Sequence, residues 1–184
     1  HNIELIYFYN TLRINFQTLE YFTNLKYLRL ELSEDIKSAF KINLPNLESI
    51  SLVGKLTKKS LLPTFRYDSM NCKRLKSFIM SDFNLTGKKK VNLFYDIKSI
   101  LDQGVGTCQL ETLHLKNVFG ISTSLIVVNN DLSLLSLKNL RSFNISSTLI
   151  KPIRLIDLIR KFDLNKLEYL NLIETEDRVT LEKP

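Results

Sequence analysis

Residues 110–115 read Leu-Glu-Thr-Leu-His-Leu, with apolar residues in the first, fourth and sixth places and variable ones between. The same arrangement recurs as IELIYF (Ile3 to Phe8), LKYLRL (Leu25 to Leu30), LESISL (Leu47 to Leu52), LKSFIM (Leu75 to Met80), LRSFNI (Leu140 to Ile145) and LEYLNL (Leu167 to Leu172). The seven copies begin at residues 3, 25, 47, 75, 110, 140 and 167, so successive starts lie 22 to 35 residues apart. One such hexamer is commonplace in a Leu-rich chain. Seven in order, separated by longer variable segments, mark an internal repeat.

In an extended chain, side chains alternate between faces. The fourth and sixth places therefore point inward and the third, fifth and seventh outward, which predicts strands near 3–8, 25–30, 47–52, 75–80, 110–115, 140–145 and 167–172. The segments between them must carry the chain back, and several have helical patterning. Leu93, Phe94, Ile97, Ile100 and Leu101 share one face ended by Gly104, and Leu155, Ile156, Ile159 and Phe162 follow Pro152 at a first turn. A shorter return runs from Ser33, with Ile36 and Phe40 one turn apart. Strand, return helix, parallel strand is the expected unit, repeated through a single domain over 1–184.

The residue in the second place gives an independent reading of register. It runs Glu4, Lys26, Glu48, Lys76, Glu111, Arg141, Glu168, alternating in sign without exception. Parallel strands stacked about 4.8 Å apart would line these up so that every charge has opposite neighbours. Three places before each hexamer stand Phe22, Leu44, Cys72, Thr107, Leu137 and Leu164, mostly apolar, which makes Cys72 a small buried residue rather than a redox or metal group.

These residues resemble the leucine-rich-repeat family, with its LxxLxLxxN/CxL consensus, over essentially the whole chain. The ninth place departs from the consensus Asn or Cys, holding Thr11, Ser33, Lys55, Phe83, Val118, Thr148 and Thr175. A regular asparagine ladder at that place is therefore not expected. The resemblance implies an α/β fold: a right-handed solenoid, or horseshoe, with a parallel sheet on its concave face and helices and irregular segments on its convex face. Long, uneven repeats look more like the intracellular subclasses than the extracellular one. The irregular repeats also look like the repeat domain of a fungal-type F-box leucine-rich-repeat protein, with an intracellular repeat scaffold of another pathway, or a basic repeat domain contacting nucleic acid, as the alternative. In the F-box proteins the repeats hold a substrate and an F-box module, which this chain does not contain, recruits the ubiquitin ligase.

The composition, 44% hydrophobic and 24% charged, is that of a folded protein rather than a disordered one. No apolar run approaches the roughly 20 residues that span a bilayer, so no membrane partner is expected. Two cysteines, Cys72 and Cys108, do not form the disulfide framework of a small secreted module, which favours the cytoplasm or nucleus. The chain opens on His1 rather than Met and is expected to be a fragment of a longer one. His114 is the only internal histidine, and Gly104 to Gly106 lacks the lysine of a phosphate loop. Neither enzymatic activity nor any cofactor or metal is therefore expected.

A net charge of +7 permits nucleic acid as a partner. Its clusters, at Lys55, Lys58 and Lys59, at Lys88 to Lys90 and at Arg154, Arg160 and Lys161, all fall in return segments without interleaved aromatics. A protein partner is the stronger expectation, with nucleic acid the weaker. The contact surface is the set of outward places, from which Tyr7, Tyr9, Tyr27, Arg29, Ile79, His114, Lys116, Asn144, Tyr169 and Asn171 stand out as protein-binding candidates. Large amphipathic side chains gather at the two ends, around a middle rich in serine.

Overall fold

A computed structural model of the chain describes residues 2–11, 16–32, 44–54, 74–84, 110–119, 139–147 and 162–172. Each of these segments contributes one strand: β1 (Leu5–Thr11), β2 (Tyr27–Leu32), β3 (Ser49–Val53), β4 (Ser77–Asn84), β5 (Thr112–Phe119), β6 (Ser142–Asn144) and β7 (Tyr169–Asn171). They form one seven-stranded sheet in sequence order, every neighbouring pair parallel. The returns expected to be helical, and the basic clusters within them, lie outside the described residues, as do Cys72 and Cys108. Within the described part of the first return, Phe16–Tyr21 form a 3-10 helix whose Leu19 is buried.

Register follows the repeat. The fifth places pair as Tyr7, Arg29, Ser51, Ile79, His114, Asn144 and Asn171 in one row, and the third places as Leu5, Tyr27, Ser49, Ser77, Thr112, Ser142 and Tyr169 in another. From β2 to β6 the fourth and sixth places form the core, whereas at the outer strands Ile6, Phe8 and Leu172 are half-buried and Leu170 is exposed, so the inward expectation does not hold there. Leu28, Ile50, Phe78, Leu113 and Phe143 lie in one buried row, and Leu30, Leu52, Met80, Leu115 and Ile145 in the next. Phe162 is the only member of the expected 152–162 helical face among the described residues. It is buried with its ring 4.8 Å from that of Phe143, edge to face.

The strands begin two residues later than the sequence reading has them. The leading leucines Leu25, Leu47, Leu75, Leu110 and Leu140 are buried, but each precedes its strand. A tight turn precedes Leu25, Leu47 and Leu167, whose amides donate to the carbonyls of Phe22, Leu44 and Leu164, three residues back. Leu44 and Leu47 are both buried and anchor the two ends of their turn, where Pro45 occupies a place that favours its fixed φ, whereas Phe22 is half-buried and Leu164 exposed.

The far ends of the strands differ too. β6 and β7 stop after three residues, whereas β4 and β5 continue to the ninth place, where Phe83 and Val118 are buried and paired. The eighth residue makes this continuation possible by a left-handed step. Asp82 (φ 62°) and Asn117 (φ 52°) are both of the type that tolerates it. Asn117 Nδ2 donates to Asp82 Oδ1 at 2.8 Å, tying the two steps together. At the eighth place of the preceding repeat, a Cβ added to Gly54 would stand 2.6 Å from the Asp82 carbonyl oxygen, so only glycine fits. β1 carries one extra residue between Phe8 and Thr11 relative to β2, a bulge that moves Tyr9 out of the seventh-place row.

Leu113 sits at the centre of this core with none of its surface exposed. Leu113→Ala is expected to lower unfolding stability by about 2–5 kcal/mol, measured by urea denaturation.

Candidate functional site

Below the strands, the second-place residues form the row that their alternating charge predicts. Lys26 Nζ meets Glu4 Oε1 at 2.8 Å, Lys76 Nζ meets Glu48 Oε2 at 3.8 Å, and an Arg141 guanidinium nitrogen meets Glu168 Oε1 at 3.1 Å. The Glu4 contact raises the pKa of Lys26. These pairs are solvent-exposed, so each contributes little to stability. The backbone beneath them is more regular. The carbonyl of each second-place residue from Glu4 to Arg141 accepts two amides, those of the second and third residues of the following repeat, at 2.7–3.0 Å.

A row two places earlier was not read from the sequence. Asn24 Nδ2 donates to Asn2 Oδ1 at 3.4 Å, Asn46 Nδ2 to the Thr23 carbonyl at 2.9 Å, and Lys166 Nζ to Asn139 Oδ1 at 3.2 Å. Its signal was available, since Asn precedes the leading apolar residue at Asn2, Asn24, Asn46 and Asn139. Asn139 and Lys166, with Glu111 and Arg141, line a polar cleft of about 330 Å³ that none of the predicted site residues borders.

Above the strands, the open face carries those residues in two groups. The first spans β1 and β2. Tyr7, Tyr9 and Tyr27 are 49%, 69% and 45% exposed, so their rings are available to a partner. The Arg29 guanidinium carbon lies 5.1 Å from the centre of the Tyr7 ring, in cation–π range, and the Tyr7 and Tyr9 rings meet edge to face at 6.3 Å. The Tyr7 hydroxyl donates to Glu31 Oε2 at 2.9 Å, and this carboxylate raises the phenol's pKa. Glu31, absent from the residues singled out by sequence, thus orients the group. Arg29 makes no ion pair among the described residues.

The second group spans β5 to β7. His114 Nε2 and Ser142 Oγ are hydrogen-bonded at 2.7 Å, and the His114 ring lies 5.9 Å from that of Tyr169. These rings come from strands two spacings apart, roughly 9–10 Å. They meet because the intervening third-place residue, Ser142, is small. Asn171 Nδ2 donates to the Tyr169 hydroxyl at 3.1 Å. Among the described residues no carboxylate meets the other nitrogen of His114, so the serine contact fixes the ring without the acid that would orient a base. Lys116 is exposed and makes no ion pair among the described residues.

Two predicted members of the face have other roles. The Asn144 Oδ1 accepts the Ser146 amide at 2.9 Å, capping the end of β6, and its side chain is half-buried. Ser146, read as an outward seventh place, is instead buried, in a turn where Ser147 takes φ 54° and the Ser146 carbonyl accepts the Asn117 amide. Ile79 stays on the face between the two groups, beside Ser51 and His114. No cluster of three or more His, Cys, Asp or Glu side chains that could hold a metal occurs among the described residues.

Burial lowers the pKa of His114 below its ordinary value of 6.5. The unfolded chain takes up this proton more readily, so acid favours unfolding. The contribution is whole above pH 6.5 and is lost as pH falls through the folded-state pKa. An NMR titration is expected to place the His114 midpoint below that of an unstructured histidine, and His114→Asn to flatten the pH dependence of stability in that window.

No family model matches the chain, and no curated protein or solved structure matches it either.

Proposed function

We propose that the chain is a leucine-rich-repeat scaffold, a right-handed solenoid whose open, concave sheet face recognises a protein partner. The observation that carries this reading is the ordered parallel sheet with its third- and fifth-place rows in register. Successive strands in such a sheet present equivalent side chains side by side, which is how a solenoid builds a broad recognition surface. Right-handedness rests on the general preference of parallel crossovers.

The chemistry of the face supports a protein partner over nucleic acid. Its aromatic anchors, Tyr7, Tyr9 and Tyr27 at one end and Tyr169 at the other, flank the smaller Ser49, Ser51, Ser77 and Ser142. Tyr and Arg are the residue types that most often dominate protein interfaces, because a rigid ring or planar guanidinium contributes much contact area for little lost freedom. The charge on the face is modest, with Arg29 and Lys116 against Glu31, whereas phosphate binding calls for clustered cations.

In its narrower form the reading makes this chain the substrate-receptor part of an F-box ubiquitin ligase, held in the cytoplasm or nucleus. That step rests on family resemblance alone. Affinity capture with the intact chain, with and without nuclease, identifies the partner. The double replacement Tyr27→Ala with Arg29→Ala is then expected to weaken its binding by at least about tenfold while circular dichroism stays unchanged. Unchanged affinity removes this patch from the interface, and loss of binding on nuclease treatment replaces the protein reading with nucleic acid. Recovery of a partner that carries ubiquitin supports the narrower form.

A further inference from the structure

Cations are treated differently on the two sides of the strands' first residues. In the second-place row Lys26, Lys76 and Arg141 each meet a glutamate. On the open face Arg29 and Lys116 do not. The Arg29 guanidinium lies over the Tyr7 ring, a contact that occupies none of its N–H donors with an acceptor, and among the described residues no oxygen meets them. Lys116 is exposed, and its ammonium likewise has no acceptor among the described residues. Glu31, the one carboxylate on the described third-, fifth- and seventh-place rows, accepts the Tyr7 hydroxyl. His114 is largely uncharged at neutral pH, since burial lowers its pKa. The positive charge of the face is therefore concentrated at two points.

Those points lie on β2 and β5, three strand spacings apart across the sheet and offset by one outward place along it, roughly 16 Å between backbones. Between them β3 and β4 present Ser49, Ser51, Val53, Ser77, Ile79 and Ser81, none of them charged. We infer that this face binds an extended acidic segment of a partner protein, lying across the strands, with the pattern acidic–variable–aliphatic–variable–acidic. Alternate residues of an extended chain share a face, and four residues cover roughly 13 Å. The long side chains of Arg29 and Lys116 span the remainder. One carboxylate meets Arg29, the other meets Lys116, and the aliphatic residue between them lies against Val53 and Ile79. The inference rests on the protein-binding reading above and gives the partner's chemistry.

The Tyr7 ring prepares Arg29 for this contact. A guanidinium already held over a ring loses less freedom when a carboxylate arrives. Nucleic acid fits the same face less well. It carries a phosphate at every nucleotide, so charges would fall over the neutral floor of β3 and β4 as well as at its two ends, and only two cations would answer them.

The test titrates the isotope-labelled intact chain with the end-blocked peptide Gly-Ser-Glu-Thr-Val-Thr-Glu-Ser-Gly, followed by NMR. Resonances of Arg29, Ile79 and Lys116 are expected to shift, and changing either glutamate of the peptide to glutamine should weaken binding about two- to fivefold. In the R29Q chain one of those changes should lose its effect, and in K116Q the other. A peptide with its two glutamates adjacent should bind more weakly, because it cannot bridge the two cations. Absence of binding, glutamine changes that matter equally in both variant chains, or equal binding by the adjacent-glutamate peptide would each overturn the assignment. So would a short thymidine oligonucleotide that shifts the same resonances at lower concentration than the peptide. The protein-binding reading is checked separately with Tyr27→Ala alone. If the captured partner loses affinity for that variant while the acidic peptide fails, only the acidic-segment assignment falls; if the partner is indifferent as well, both fall.

Discussion

Each second-place carbonyl from Glu4 to Arg141 accepts two amides from the next repeat, and that shared acceptor holds the rest of the structure in place. It fixes where every strand starts relative to its neighbour, independently of how long the intervening return is. Returns of very different length can then be accommodated without loss of register, since loop-closure entropy grows only slowly with length. Once the start is fixed, the period of two distributes the remaining side chains. The fourth and sixth places close the core from Leu28 to Ile145, and the third and fifth open onto solvent.

The charge row and the asparagine row accompany this lock rather than create it. The ion pairs Lys26–Glu4, Lys76–Glu48 and Arg141–Glu168 are too exposed to hold strands together. Their value is selective: a slip of one repeat would bring like charges together along the whole row. Stability comes from the buried rows, and selectivity from the polar rows beside them.

Sheet order and register were legible because two unrelated patterns, apolar at the first, fourth and sixth places and alternating charge at the second, require the same alignment. The exact strand starts were not, because a buried leucine looks the same to a periodicity argument whether it lies in a strand or in the turn before it. Leu25 and Leu47 are of the second kind. The extension of β4 and β5 was hidden for a similar reason. Phe83 and Val118 registered only as departures from a consensus, while the left-handed steps at Asp82 and Asn117 that turn them inward depend on backbone geometry. On the open face the rows were readable but the contacts were not. His114 reaches Tyr169 over Ser142 because of one small side chain, and Glu31 matters because it accepts the Tyr7 hydroxyl.

The functional reading presupposes one parallel sheet with strands in sequence order. Solution NMR tests that directly through contacts between backbone protons of neighbouring strands. The account requires contacts linking Tyr27 to Ser49, Ser49 to Ser77, Ser77 to Thr112, Thr112 to Ser142 and Ser142 to Tyr169 along one line, with no close pairs of α-protons between strands. Strong α-proton pairs, the mark of antiparallel neighbours, or contacts joining strands out of sequence order would contradict it.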